Sequence, residues 1–293
     1  MKKLLFVLAT WLAIPTLALA IAPYIQAERL KGGDIHQLVE SVEAKLKEGG
    51  FQTLGHYCPH QLKDYCVVVA TDEGLLNEIR QLGGTNIVGA AIRVGVDSNG
   101  DLSYMNPDYW YRAYFRSEFP QAEHVVQDVQ NKLAKTLGVR GAFGGDETAA
   151  DLPKYRYLIG MERFDSDKNL LATYPSFDEA LKVVRENLDK GVGHTVKVYE
   201  VVMPDKKIAV FGVGMNDETL GDGRWLAKIG EQEQIAALPY ELFIVNNQVQ
   251  ALHGRFRIAV AFPALSMGHF MRIASTPNDI LRTLTAVAGG VPK

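Results

Sequence analysis

The stretch Leu238–Phe262, LPYELFIVNNQVQALHGRFRIAVAF, constrains the fold more than any other. It reads as two strands joined by a tight turn at Asn246-Asn247, then a strongly apolar third run. A fainter copy lies upstream at Ile87–Tyr114, IVGAAIRVGVDSNGDLSYMNPDYWYRAY, with its own turn at Ser98-Asn99-Gly100. Asn-Gly between apolar runs is a strong hairpin signal. Two such hairpins predict a duplicated unit.

The flanking segments repeat in the same order: helix, strand, strand, short helix, strand, strand, helix. In the first half, Asp34 is a predicted N-cap, and Ile35, Leu38, Val39, Val42 and Leu46 fall along one helical face before Gly49-Gly50. Phe51–Cys58 and Tyr65–Ala70 read as strands, and Glu73–Leu82 as a short helix. Asn106-Pro107-Asp108 starts an aromatic helix, with Asn as cap and Pro in the first turn. In the second half, Tyr155–Arg163 reads as a strand and Ser176–Glu179 as a capping box. His194–Met203 and Lys207–Val213 form a strand pair, and Thr276-Pro277 opens a final helix. Consecutive strands with short turns favour an antiparallel sheet, and helices gathered on it give an α+β architecture. The expected division is a first repeat over 28–138, a Gly-rich linker over 139–153 and a second repeat over 154–293 with an insertion at 253–275.

The N-terminus carries the firmest functional signal. Met1-Lys2-Lys3 is cationic, Leu4–Ala20 is apolar apart from two threonines, and Ala18-Leu19-Ala20 offers a cleavage site. Residues 1–20 thus read as a secretory signal peptide. The competing reading is an uncleaved anchor, since Leu4–Ile25 is long enough to span a bilayer, for which roughly 20 residues suffice. Either way the remainder is expected outside the cytoplasm, as a periplasmic protein or one tethered to the inner membrane and facing the periplasm. Contact with membrane is expected only through an uncleaved N-terminus. A net charge of -3 gives no basic face, so nucleic acid is not an expected partner.

The run IRVGVDSNGDLSYMNPDYWYRAY resembles the signature end of the family catalogued as domain of unknown function 302, and ALPYELFIVNNQVQALHGRF resembles the same strand pair. Leu238-Pro239 stands at that family's leucine-proline, where the first half has Val88-Gly89. The resemblance implies a fold of one strand, a helix, four strands and a helix, with a curved antiparallel sheet grasping the last helix. It implies no reaction.

Four residue sets could carry chemistry. His56, Cys58 and His60 would share one face of an extended segment, and Cys66 could complete a copper or zinc site. The competing reading is a Cys58–Cys66 disulfide, which an exported chain favours. Tyr109, Trp110 and Tyr114 could line a ligand site, although core packing of a helix on a sheet explains most of the aromatic set. Arg255 and Arg257 share strand parity and would face water or the sister repeat, where they could hold an anion. The Ser266–Met271 run offers thioethers and an imidazole. Phosphate-loop, H-E-x-x-H, G-x-S-x-G and C-x-x-C patterns are all missing, so no catalytic residue and no cofactor are assigned. The expectation is a non-catalytic module that binds a small apolar or anionic ligand or a protein partner. The alternative is a thiol-redox or metal-handling protein.

Overall fold

The computed structural model describes residues 20–291; the expected leader lies outside these except for Ala20. The chain opens with β1 (Ala20–Ile21), β2 (Tyr24–Gln26), α1 (Ile35–Glu48), β3 (Gln52–Tyr57), β4 (Tyr65–Thr71) and α2 (Glu73–Leu82). After a 3-10 segment at 84–90 come β5 (Ile92–Asp97), β6 (Leu102–Met105), α3 (Pro107–Phe115) and α4 (Phe119–Leu137). Two short strands follow, β7 (Gly141–Phe143) and β8 (Glu147–Thr148). The second half holds β9 (Leu170–Thr173), α5 (Phe177–Asp189), β10 (Thr195–Met203), β11 (Ile208–Met215) and α6 (Asp222–Ile229). A 3-10 segment at 232–237 then leads to β12 (Tyr240–Val245), β13 (Gln248–Ala251), α7 (Gly254–Ala261), α8 (Met267–Met271) and α9 (Thr276–Val287).

The described residues form an α+β fold, with a six-stranded and a five-stranded antiparallel sheet, helices packed on them and a separate antiparallel pair of β1 with β8. The first sheet runs β3-β4-β5-β6-β2-β7 and the second β10-β11-β12-β13-β9. The order 3-4-5-6-2 thus has a counterpart strand by strand. Local signals account for the helix starts. The Asp34 side chain accepts from the His36 and Gln37 amides, and Ser176 accepts from Glu179. Leu38, Val39, Val42 and Leu46 are buried, while Gly50 takes a φ of 80° at the helix end, a conformation that suits glycine.

Three expectations are corrected. Tyr155–Arg163 is irregular rather than a strand; the strand beside β13 is β9. The expected linker carries β7, which pairs with β2 and extends the first sheet. The run after β13 is the helix α7, not a strand, and it follows β13 as α3 follows β6. Its periodicity was hidden because Phe256–Ala261 are all buried, so the helix has no polar face to mark a 3.6-residue stripe.

The halves pack sheet towards sheet, and their central strands are therefore buried on both faces: Cys66–Thr71 and Ile208–Met215 are buried throughout. The exchange is reciprocal. Residues 84–90 lie on β11 and β12, and residues 232–237 lie on β4, β5 and β6. β3 meets β10, and each carries a bulge, at Leu54 and Val198 respectively. Gly55 permits the approach, because a Cβ there would fall 2.2 Å from the Val198 carbonyl oxygen.

Candidate functional site

Arg93 is the second residue of β5, paired with Val69; Glu241 is the second residue of β12, paired with Gly212. The two form an ion pair with side chains 1% exposed. Arg257, from α7, approaches the same carboxylate, Nε to Oε2 at 2.9 Å, and its Nη2 donates to the Ala237 carbonyl at 2.6 Å. Arg93 Nε donates to the Ala236 carbonyl at 2.9 Å. The indole of Trp110 lies under both guanidiniums, with ring-centroid distances of 4.5 Å and 4.7 Å. Tyr114 donates to Glu241 at 3.3 Å, and Tyr109 donates to the Val260 carbonyl at 2.8 Å.

Four of the residues singled out from sequence, Tyr109, Trp110, Tyr114 and Arg257, therefore converge at the centre of the molecule. Arg255 does not join them. It lies 3.5 Å from Glu162, whose carboxyl is held down at about 2: burial alone would raise it, but Lys168 and His253 outweigh that. The two arginines expected as an anion site are thus each engaged by a carboxylate, on different sides of α7. Burial pushes the Tyr114 hydroxyl up to about 12, with Arg257 opposing the shift. Burial works against the Arg257 charge, yet Glu241 and the surrounding hydroxyls hold its pKa above the ordinary value.

The centre holds two guanidiniums against one carboxylate. Asp222 supplies a further acid nearby. It accepts from the Met215 amide at 2.8 Å and lies 3.1 Å from the Tyr57 hydroxyl and 3.2 Å from Trp225 Nε1. Burial raises its carboxyl to about 6, moderated by these bonds and by the Arg257 charge.

Cys58 and Cys66 form a disulfide, closing a loop that rests on the second half. The Tyr57 hydroxyl reaches the Met215 carbonyl at 3.1 Å, and Gln61 donates to the Asp217 carbonyl at 3.2 Å. With both sulfurs bonded to each other, the expected four-ligand set is not assembled. His56 faces Glu43 at 2.9 Å. Among the described residues no group of three or more His, Cys, Asp or Glu is placed to hold a metal ion.

An accessible cleft lies further along the same inter-half layer. Arg93, Gly95 and Asp97 alternate onto one face of β5, and Ile235 packs on Gly95. Beyond that contact the halves part into a cleft of about 300 Å³. Its floor is β5 and β6 and its roof the 230–235 segment, with Tyr65 and Phe143 as aromatic walls. Asp97, Asp101 and Glu233 line it, with the amides of Gln26 and Gln232. Arg29 lies 3.3 Å from Asp101. The Tyr65 phenol is pushed up by burial and then by Asp97 and Glu233, an effect of their shared negative field. Asp97 also accepts from the Asp101 amide at 2.9 Å and from Asn99 at 3.3 Å, and the remaining acceptor capacity of the three carboxylates can stabilise positive charge.

No protein-family description, curated protein or solved structure matches this chain.

Proposed function

We propose that the protein is an exported, non-catalytic binding module built from two copies of one α+β unit, and that it holds a small organic cation in the cleft between them. The cleft carries the reading. Its volume of about 300 Å³ is at the lower end of ligand pockets. Carboxylates at Asp97, Asp101 and Glu233, beside the rings of Tyr65 and Phe143, suit an amine or quaternary ammonium group. A cation thus replaces the apolar or anionic ligand expected from sequence. The shared strand order, the matched bulges and the reciprocal 3-10 segments support duplication. The order of strand, helix, four strands and helix in each half, with a short helix between the strand pairs, is also what a pair of units resembling domain of unknown function 302 would give. The disulfide suits an oxidising compartment.

Calorimetry with choline, putrescine, benzoate and 1,6-hexanediol tests the reading. Choline or putrescine should bind, and Asp97→Asn with Glu233→Gln should weaken that binding about tenfold, or 1.4 kcal/mol. Binding of benzoate or the diol alone would refute the cation, and binding of none would refute the site.

The competing proposal, thiol-redox or metal handling at Cys58 and Cys66 with His56 and His60, draws its support from the bridged pair. It requires the bond to cycle. Thiol titration of freshly purified protein, before and after mild reduction, decides it.

A further inference from the structure

One end of the molecule carries large apolar side chains in water. Ile159 is 95% exposed, Leu158 49%, Met271 63% and Met267 48%. They come from two segments that lie together: Tyr157 and Met161, flanking the first pair, share a small pocket with Leu265, just before the second pair, and Phe270, within it. Most other exposed apolar residues are scattered singly, as on any protein surface. Here four gather, and Arg156 and Arg272 are exposed beside them.

The position of this end in the chain gives the patch a partner. The apolar run Leu4–Leu19 joins the fold at Ala20. There β1 pairs with β8, Ala20 opposite Thr148. Just before β8, Gly145 lies against Ala264, where a Cβ would come within 2.8 Å of the Ala264 backbone. Ala264 in turn precedes α8, which bears Met267 and Met271. Through these contacts the strand that follows the apolar run packs next to the segment that leads into α8.

We infer that this end lies on a phospholipid bilayer, with Leu158, Ile159, Met267 and Met271 in the interface and Arg156 and Arg272 at the phosphates. Apolar side chains rimmed by arginine are the composition that settles at a lipid surface. The inference is independent of the cleft and extends membrane contact beyond the N-terminus to the folded part of the chain.

The test uses the full chain in phosphatidylcholine–phosphatidylglycerol vesicles. An environment-sensitive dye is attached at Ile159→Cys, at Met271→Cys or, as a control, at Lys182→Cys on the exposed face of α5. The native cysteines remain bridged, so only the introduced thiol reacts. Dye at 159 and 271 should shift to the blue and lose more than half its emission to doxyl-labelled lipid, while dye at 182 does neither. Equal water exposure at all three positions overturns the inference. So does a blue shift that appears without vesicles and grows with protein concentration, which would make a second copy the occupant.

Discussion

Arg93 and Glu241 occupy the same place in the two sheets and bind each other at the centre of the molecule. Arg93 takes its carboxylate from the other half, while Glu241 is shared with Arg257 of its own half. Each guanidinium also bonds the backbone of the 232–237 segment, Arg93 at Ala236 and Arg257 at Ala237, so the ion pair fixes the roof of the cleft as well as the junction.

Removing Glu241 should therefore be costly. Glu241→Gln leaves two buried guanidiniums without their carboxylate and should lose about 3–5 kcal/mol. The triple variant Arg93→Met, Arg257→Met, Glu241→Leu should recover most of that, because no buried charge remains. Urea denaturation checks both; equal losses in the single and triple variants would contradict the charge argument.

Asp222 gives a pH signature. Its folded carboxyl lies at about 6 against an ordinary 3.8, so the native state keeps a proton that the unfolded chain releases. This contribution to stability is fully present below the unfolded value, falls between pH 4 and 6, and stays lost above. The cost at neutral pH is about 3 kcal/mol. Asp222→Asn should remove that slope, seen as a difference between wild-type and variant stability profiles over this window.

Asn106 occupies the cap of α3, yet its side chain makes no capping bond; Nδ2 donates to the Ala22 carbonyl at 2.8 Å. Asn106→Ala should cost about 1–3 kcal/mol through that lost partner. Asn106→Asp, a good helix cap without an amide donor, should not restore it. Thermal unfolding separates the two origins.

The disulfide should contribute through the unfolded state. Cys58 and Cys66 are 8 residues apart. The pair Cys58→Ser, Cys66→Ser should lose about 2.5 kcal/mol by the chain-entropy account. Choline affinity should be unchanged, since neither residue lines the cleft.

Much of this fold was legible in the residues. Caps at Asp34 and Ser176, the turns at Ser98–Gly100 and Asn246-Asn247, and the helix Glu73–Leu82 follow from local chemistry that packing does not override. What was hidden depends on long-range burial. α7 reads as a strand because no side of it is polar. The Arg93–Glu241 pairing is obscured by turn length. Three residues, Ser98–Gly100, separate Asp97 from Asp101, whereas only Asn246 and Asn247 separate Val245 from Gln248. Aligning the two halves on their turns sets Arg93 against Tyr240, one residue short of Glu241, which holds the corresponding place in its sheet. The cleft has no local signal at all, since its carboxylates come from β5, the following turn and the opposite half.

Amide NMR during titration with choline is the sharpest test that the cleft between the halves holds a cation. Saturable shifts are expected at Gly95, Ser103 and Glu233, on both walls of the cleft, and those at Gly95 and Ser103 should vanish in the Asp97→Asn, Glu233→Gln variant. Shifts confined to one half, or unchanged in that variant, would contradict a cation held there.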